Sequence, residues 1–190
     1  MRGQPQRHYS LNDYFAIETD SPIKHEYYRG EVFAMAGASV AHNHIAANVL
    51  TLLRTGLRGG TCNAFGSDLR VCTPSGLYTY PDVMVICGAV ALVEDRPDTA
   101  INPTVLVEVL SDATRDYDRG EKFTLYRTIP TFKEYLLIEQ SQVLVEHHRR
   151  GQRGAWRSRT YKRLYAGIPL ASVGLDLALS EIYREVFKSY

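Results

Sequence analysis

The spacing of apolar and polar positions changes several times along the chain, and each change marks an element. Between Ser39 and Gly60, residues Ile45, Val49, Leu52, Leu53 and Leu57 share one face at 3.6-residue spacing. That stripe predicts an amphipathic helix, stopped by Gly59-Gly60. Upstream, Ser10 precedes "LNDYFAIE" as an N-cap, with Asp13 in the capping-box position of a short helix. "KHEYYRGEVFAMAG" reads as a hairpin turning near Arg29-Gly30. "TCNAFGSDLRVC" and "LYTYPDVMVIC" read as the arms of a second hairpin, joined by the turn "TPSG". Residues 88–103 show no clear period and read as a mobile connection.

Thr104–Ser111 is apolar on both faces apart from Glu108, so it predicts a central strand with cover on each side. A helix follows from about Asp112 to Arg127. "FKEYLLIE" and "QVLVEHHRR" are two more strands, and "AWRSRTYKR" pairs next after "GQRG". "LSEIYREVF" closes the chain as a short helix, and residues 1–9 read as a loose polar lead. The strand–helix–strand unit from Thr104 to Ile138 predicts a right-handed parallel crossover. No repeat or linker interrupts the pattern. Residues 1–190 therefore read as a single α/β (α+β) domain: a mixed central sheet flanked by helices, with an N-terminal β-hairpin and C-terminal antiparallel strands.

Composition changes this picture little. The chain has 190 residues, 45% hydrophobic and 23% charged, with a formal net charge of +1. A near-neutral balance gives no whole-protein argument for a polyanionic partner, so any basic surface must be local. No apolar run is long enough to span a bilayer, and the N-terminus lacks a leader-like apolar segment. Cys62, Cys72 and Cys87 are odd in number and form no C-x-x-C pair. They read as free, buried thiols in a reducing cytoplasm rather than as zinc ligands or a disulfide framework.

The candidate chemistry lies in the acids. Alternation sets Leu106, Glu108 and Leu110 on one strand face, and Asp82, after Pro81, shares a face with Met84 and Ile86. A loop of Pro74–Gly76 would pair Thr73 with Leu77 and, counted down both arms, Asp68 with Asp82. Carboxylates on adjacent strands repel unless a cation lies between them: Mg²⁺ is the natural hard cation for oxygen ligands, and a buried Arg or Lys paired with the acid is the alternative. Asp118, Lys122 and Tyr126 lie four apart on one helix face. They form either a surface ion pair or an inward-facing set. Strand and helix rises place Lys122 level with Glu108 if the helix folds back along the strand. Glu26 and Glu31 flank the first turn as exposed hairpin acids. His42 and His44 are two apart and do not share a helix face, and His42 reads as a hydrogen-bonding packing residue. From His147 to Arg163 the chain carries seven Arg or Lys and no acid, with Trp156 and Tyr161 interleaved. This run reads equally as a nucleic-acid track or as edge strands kept apart by charge.

These stretches, taken in order, resemble the PD-(D/E)xK nucleases. The likeness is closest to the Uma-type restriction endonuclease family, carried above all by "YPDVMVIC" and "VEVLSDATRDYDRGEKFTLY". The resemblance implies a restriction-endonuclease-like fold and a Mg²⁺-dependent site that hydrolyses DNA, in a homodimer. Asp82, Glu108 and the Val109 carbonyl would ligate the metal, with Glu26 or Glu31 as a further acid and His42 near the phosphate, and Lys122 would orient or deprotonate water or stabilise the phosphate. The pattern's lysine normally falls two residues after the acid. Here that position is Leu110, so the role passes to Lys122. The alternative is a nuclease-like module that binds nucleic acid or a protein partner with little chemistry.

Overall fold

The computed structural model describes residues 8–187. In chain order the elements begin α1 (Leu11–Asp20), β1 (His25–Tyr28), β2 (Glu31–Ala34), α2 (Val40–Gly56), β3 (Cys62–Gly66), β4 (Arg70–Cys72), β5 (Tyr78–Thr79) and β6 (Val83–Cys87). Next come β7 (Leu92–Val93), β8 (Arg96–Ala100), β9 (Val105–Leu110), α3 (Arg115–Tyr117), a π-helical turn (Asp118–Lys122) and α4 (Phe123–Tyr126). The chain then runs through β10 (Glu134–Glu139), β11 (Val145–Arg150), β12 (Trp156–Tyr161), β13 (Gly167–Leu170), β14 (Leu175–Ala178) and α5 (Leu179–Ile182).

Local chemistry accounts for the early elements. Ser10 Oγ accepts from the Asp13 N–H while the Asp13 carboxylate accepts from the Ser10 N–H, a reciprocal capping box on α1. Ser39 caps α2 through the His42 N–H. The first hairpin turns at Arg29 and Gly30, both at positive φ, the geometry that the twist of a two-residue hairpin demands. Residues 1–7 of the expected loose lead lie outside the described residues. Tyr9 is held, its N–H donating to the Gly30 carbonyl at 2.8 Å.

The central sheet has the order β12-β11-β10-β9-β6-β3, with β9 and β10 parallel and the remaining pairs antiparallel. Its two faces carry separate cores. Val105, Val107 and Val109 pack with Ile45, Val49 and Leu53 of α2 and with the β13–β14 hairpin and α5. Each of those three α2 side chains is fully buried, contributing about 1.5–3 kcal/mol. On the other face Leu106 and Leu110 pack with Leu125, Tyr126, Ile129, Phe132 and Tyr135. Glu134, fully buried in β10, accepts from the Ser172 N–H and pairs with His147, fastening the β13–β14 turn to the sheet.

A second six-stranded sheet, β2-β1-β5-β4-β8-β7, was not foreseen. The expected single hairpin from Thr61 to Cys87 bends, and its tip (β4–β5) and base (β3–β6) enter different sheets. The tip keeps the expected register, with the Thr73 N–H bonded to the Leu77 carbonyl and Cys72 opposite Tyr78. In the base, Gly66 pairs with Val83, so the register has slipped by one residue through the bend. Asp68 therefore does not face Asp82. It lies in the bend, almost fully exposed, paired with Lys24. Residues 88–103, expected as a mobile connection, form β7 and β8, and β8 pairs in parallel with β4. Buried Arg70 joins this sheet to α1, bonding Tyr14, Thr99 and Asp98.

The slipped register also corrects the reading of the cysteines. Cys62 and Cys87 become directly opposed residues of β3 and β6 and form a disulfide, leaving Cys72 as the free thiol among the described residues. With two of three cysteines joined, the thiols no longer argue for a reducing compartment. The bridge spans a sequence separation of 25. By chain entropy a loop of that order stabilises the fold by about 3.5 kcal/mol. A thiol reductant should lower the urea midpoint accordingly, and a Cys62→Ser/Cys87→Ser protein should unfold at the same midpoint with or without reductant.

Candidate functional site

The site forms where β6, β9, β1, α2 and the π-helical turn converge. In the β6–β9 ladder Val83 pairs with Val107, and one more step of that register sets Asp82 beside Glu108. Asp82 Oδ2 accepts the Val109 N–H at 2.7 Å, so the carboxylate docks against the backbone of the strand that carries Glu108. Its Oδ1 lies 2.8 Å from His42 Nε2, on the first turn of α2. Pro81, without a donor, stands at the bend where the strand leaves one sheet for the other.

Glu108 is 4% exposed and looks toward the returning helical segment. Its Oε1 accepts from the Tyr126 hydroxyl at 2.7 Å and lies 3.0 Å from Lys122 Nζ. Lys122 is just as buried, and its ammonium also contacts Glu26 Oε1 at 3.0 Å and Asp118 Oδ1 at 3.4 Å. The surface ion-pair reading of Asp118 and Lys122 is thus corrected: both side chains point inward. The π-helical turn of Asp118–Lys122 makes this possible, since the extra residue in the turn re-aims the side chains, as π turns at functional sites commonly do. Glu26 comes from β1, where its oxygen also accepts from Thr79 Oγ1.

Three carboxylates (Glu26, Glu108 and Asp118) thus surround one ammonium, with Asp82 beside Glu108 and His42 at the rim. Burial raises the Glu108 carboxyl, and the charges of Asp118 and Asp82 raise it further against the pull of Lys122 and the Tyr126 hydrogen bond, to about 8. Burial likewise raises Asp118, opposed by Lys122. Burial alone would strip the proton from Lys122, but Glu108 and Glu26, with Tyr126 and Asp118, hold it well above the ordinary lysine range. Lys122 is an ammonium here. Asp118 Oδ1 has no hydrogen-bond donor and meets only the Lys122 ammonium, while the Thr114 side chain also favours the charged carboxylate.

Of the residues singled out from sequence, Asp82, Glu108, Val109, Lys122, Glu26 and His42 come together, while Glu31 and Asp68 do not form part of the cluster. The His42–Asp82 contact had no sequence signal, because it joins a helix start to a strand 40 positions away. Among the described residues no group of three or more His, Cys, Asp or Glu side chains is arranged to hold a metal ion. Two neighbouring carboxylates and a backbone carbonyl still suit Mg²⁺, which commonly takes one or two protein carboxylates and keeps several waters. The excess of buried negative charge, with a proton retained on Glu108 near neutrality, is what a hard cation would relieve.

In the basic run, Trp156 packs on Phe123 and Phe132 and is half-buried, and Tyr161 is buried in the core. β12 is an edge strand.

Comparison with known proteins agrees with this architecture. The family described as "Uma2: Putative restriction endonuclease" matches residues 11–180. The uncharacterized protein slr1290 of Synechocystis sp. is 36% identical over 92% of this chain and 91% of its own length. A second Synechocystis protein, sll1609, is 37% identical over 73% of this chain and 78% of its own. A crystal structure from Anabaena variabilis, described as a putative nuclease belonging to DUF820, superimposes with a TM-score of 0.75 at 16% identity, covering 92% of this chain and 97% of that one. At that identity the likeness concerns the fold, which is restriction-endonuclease-like.

Two outcomes test the electrostatics. Lys122→Met leaves three buried acids without their counter-charge and should cost about 3–5 kcal/mol at neutral pH, read from urea unfolding. For the metal-free protein, a carboxyl raised on folding binds more protons in the native state. Its stabilising contribution is present below about 4.5 and is lost as pH rises to about 8. Melting temperature should fall across that window, and Glu108→Gln should flatten the fall.

Proposed function

Starting from the fact that the chain belongs to the Uma2 restriction endonuclease family, we propose that it is a Mg²⁺-dependent endonuclease hydrolysing the phosphodiester bonds of DNA as a homodimer. Residues 1–190 act in this reading as one domain. Val71, Leu77 and Ala100 of the second sheet region share a core with Met84 and Leu106 of the first, which supports it. The single observation that carries the activity is the convergence of Asp82 and Glu108 on adjacent strands, with the Lys122 ammonium 3.0 Å from Glu108.

Asp82, Glu108 and the Val109 carbonyl would hold the metal. When bound, Mg²⁺ supplies Lewis acidity at the phosphoryl oxygen and a water of lowered pKa. The chain's own residues do the rest. His42 and the Val109 N–H fix the orientation of Asp82, and Tyr126 fixes that of Glu108. Lys122 has no lone pair with which to take a proton from water, so its part is to offset charge developing on the phosphate. A second reading, nucleic-acid binding without efficient chemistry, is favoured by one observation: both Asp82 oxygens already accept protein hydrogen bonds.

Purified protein should nick or linearise DNA with Mg²⁺ and stop in EDTA. Asp82→Asn and Glu108→Gln should abolish cutting while circular dichroism stays unchanged. Normal cutting by either variant would refute the assignment, and binding without metal-dependent cleavage would favour the second reading. Saturating Mg²⁺, at 100 times its dissociation constant, should stabilise the fold by about 2.7 kcal/mol. Because the ion must displace the Glu108 proton, its affinity should rise with pH up to about 8.

A further inference from the structure

The β11–β12 hairpin carries an unbalanced stripe of charge. Arg149, Arg153, Arg157, Arg159, Lys162 and Arg163 are all exposed, and none forms an ion pair with an acid among the described residues. Other arginines contrast with them: Arg70, Arg115, Arg119 and Arg184 each meet a carboxylate. Within the ladder Arg149 stands directly opposite Arg157. Like charges facing each other across a strand pair are destabilising. The side chains sharing that face of the two strands, Val145, His147, Arg149, Arg157, Arg159 and Tyr161, include no acid, and Glu134, the β10 neighbour of Arg149, is taken up by His147 and the Ser172 N–H.

The register also fixes which way the stripe looks. Glu108 pairs with Leu137, Leu137 with Glu146, and Glu146 with Thr160, so this row lies on the face of the catalytic cluster. Arg149, Arg157 and Arg159 alternate with that row and project from the opposite face. Three strand spacings separate Glu108 from β12, roughly 14 Å. A phosphate at the acidic cluster is therefore not the group these arginines touch.

We propose that the stripe is a docking surface for the sugar–phosphate backbone of a nucleic acid, gripping a segment outside the one presented to Asp82 and Glu108. It rests on the nuclease reading only for the identity of the polyanion. Arginines offering several donors and no paired acid suit phosphate oxygens, and the single exposed ring beside them, Tyr165, is engaged by Arg163, so the stripe reads charge rather than base. The surface therefore binds without regard to sequence and with strong salt dependence.

The test uses full-length Glu108→Gln protein and a labelled DNA duplex, with affinity followed against salt. Adding Arg149→Gln, Arg157→Gln and Arg159→Gln should weaken binding at least tenfold and flatten the log–log salt slope by about 3, with thermal unfolding unchanged. Equal affinity and slope would overturn the proposal. So would stripe-dependent binding to phosphatidylserine vesicles with none to DNA. If the triple variant aggregates, the arginines also guard the edge strand. Arg157→Glu and Arg159→Glu are then measured singly, and unchanged DNA affinity in both overturns the proposal. Cleavage by the wild type is assayed in parallel. If it never cuts yet binds through the stripe, the nuclease reading fails and the docking surface stands.

Discussion

One buried ammonium organises the centre of this molecule. Lys122 is enclosed by Glu26 from β1, Glu108 from β9 and Asp118 from its own helical segment. No one of these elements could bring its charge into the core alone, because an unpaired buried charge is prohibitively costly. Each depends on the others being in place. The first hairpin, the central sheet and the crossover helix are thereby held to a common geometry. Tyr126 and Asp82 extend the same network, the former by hydrogen bond to Glu108 and the latter through the strand backbone.

Stability alone does not account for such a cluster. Buried ion groups are often matched or bettered by well-packed apolar residues of similar size. Here acids outnumber the ammonium, burial and the neighbouring acids raise the Glu108 carboxyl, and Asp118 Oδ1 lacks a donor. A site arranged in this way is unbalanced toward negative charge, and a divalent cation would balance it. The π-helical turn and the one-residue slip in the bent hairpin are departures from regular geometry at the same place. The first aims Asp118 and Lys122 inward, and the second delivers Asp82 to the end of β6.

Charge is sorted across the central sheet. The acidic cluster belongs to one face, and the arginines of the edge hairpin look out from the other. The near-zero net charge of the whole chain conceals this division. Composition averages over a surface, whereas strand alternation separates neighbours in sequence by the full thickness of a sheet.

What the sequence determined by itself was whatever rests on short-range rules. The capping box at Ser10 and Asp13, the Ser39 cap, the turn at Arg29-Gly30 and the strand around Glu108 were legible because caps, turns and periodicity act over a few residues. The approach of Lys122 to Glu108 was legible too, since the rise of a strand and of a helix are nearly constant and a short crossover must fold back. Tertiary structure decided the rest. The second sheet, the Cys62–Cys87 pairing, the exposure of Asp68, the β7–β8 strands and the His42–Asp82 contact all hang on register and packing between distant segments. A slip of one residue in the bend moves every later partner. Nothing local opposes such a slip, so only the burial of both faces of the sheet selects it.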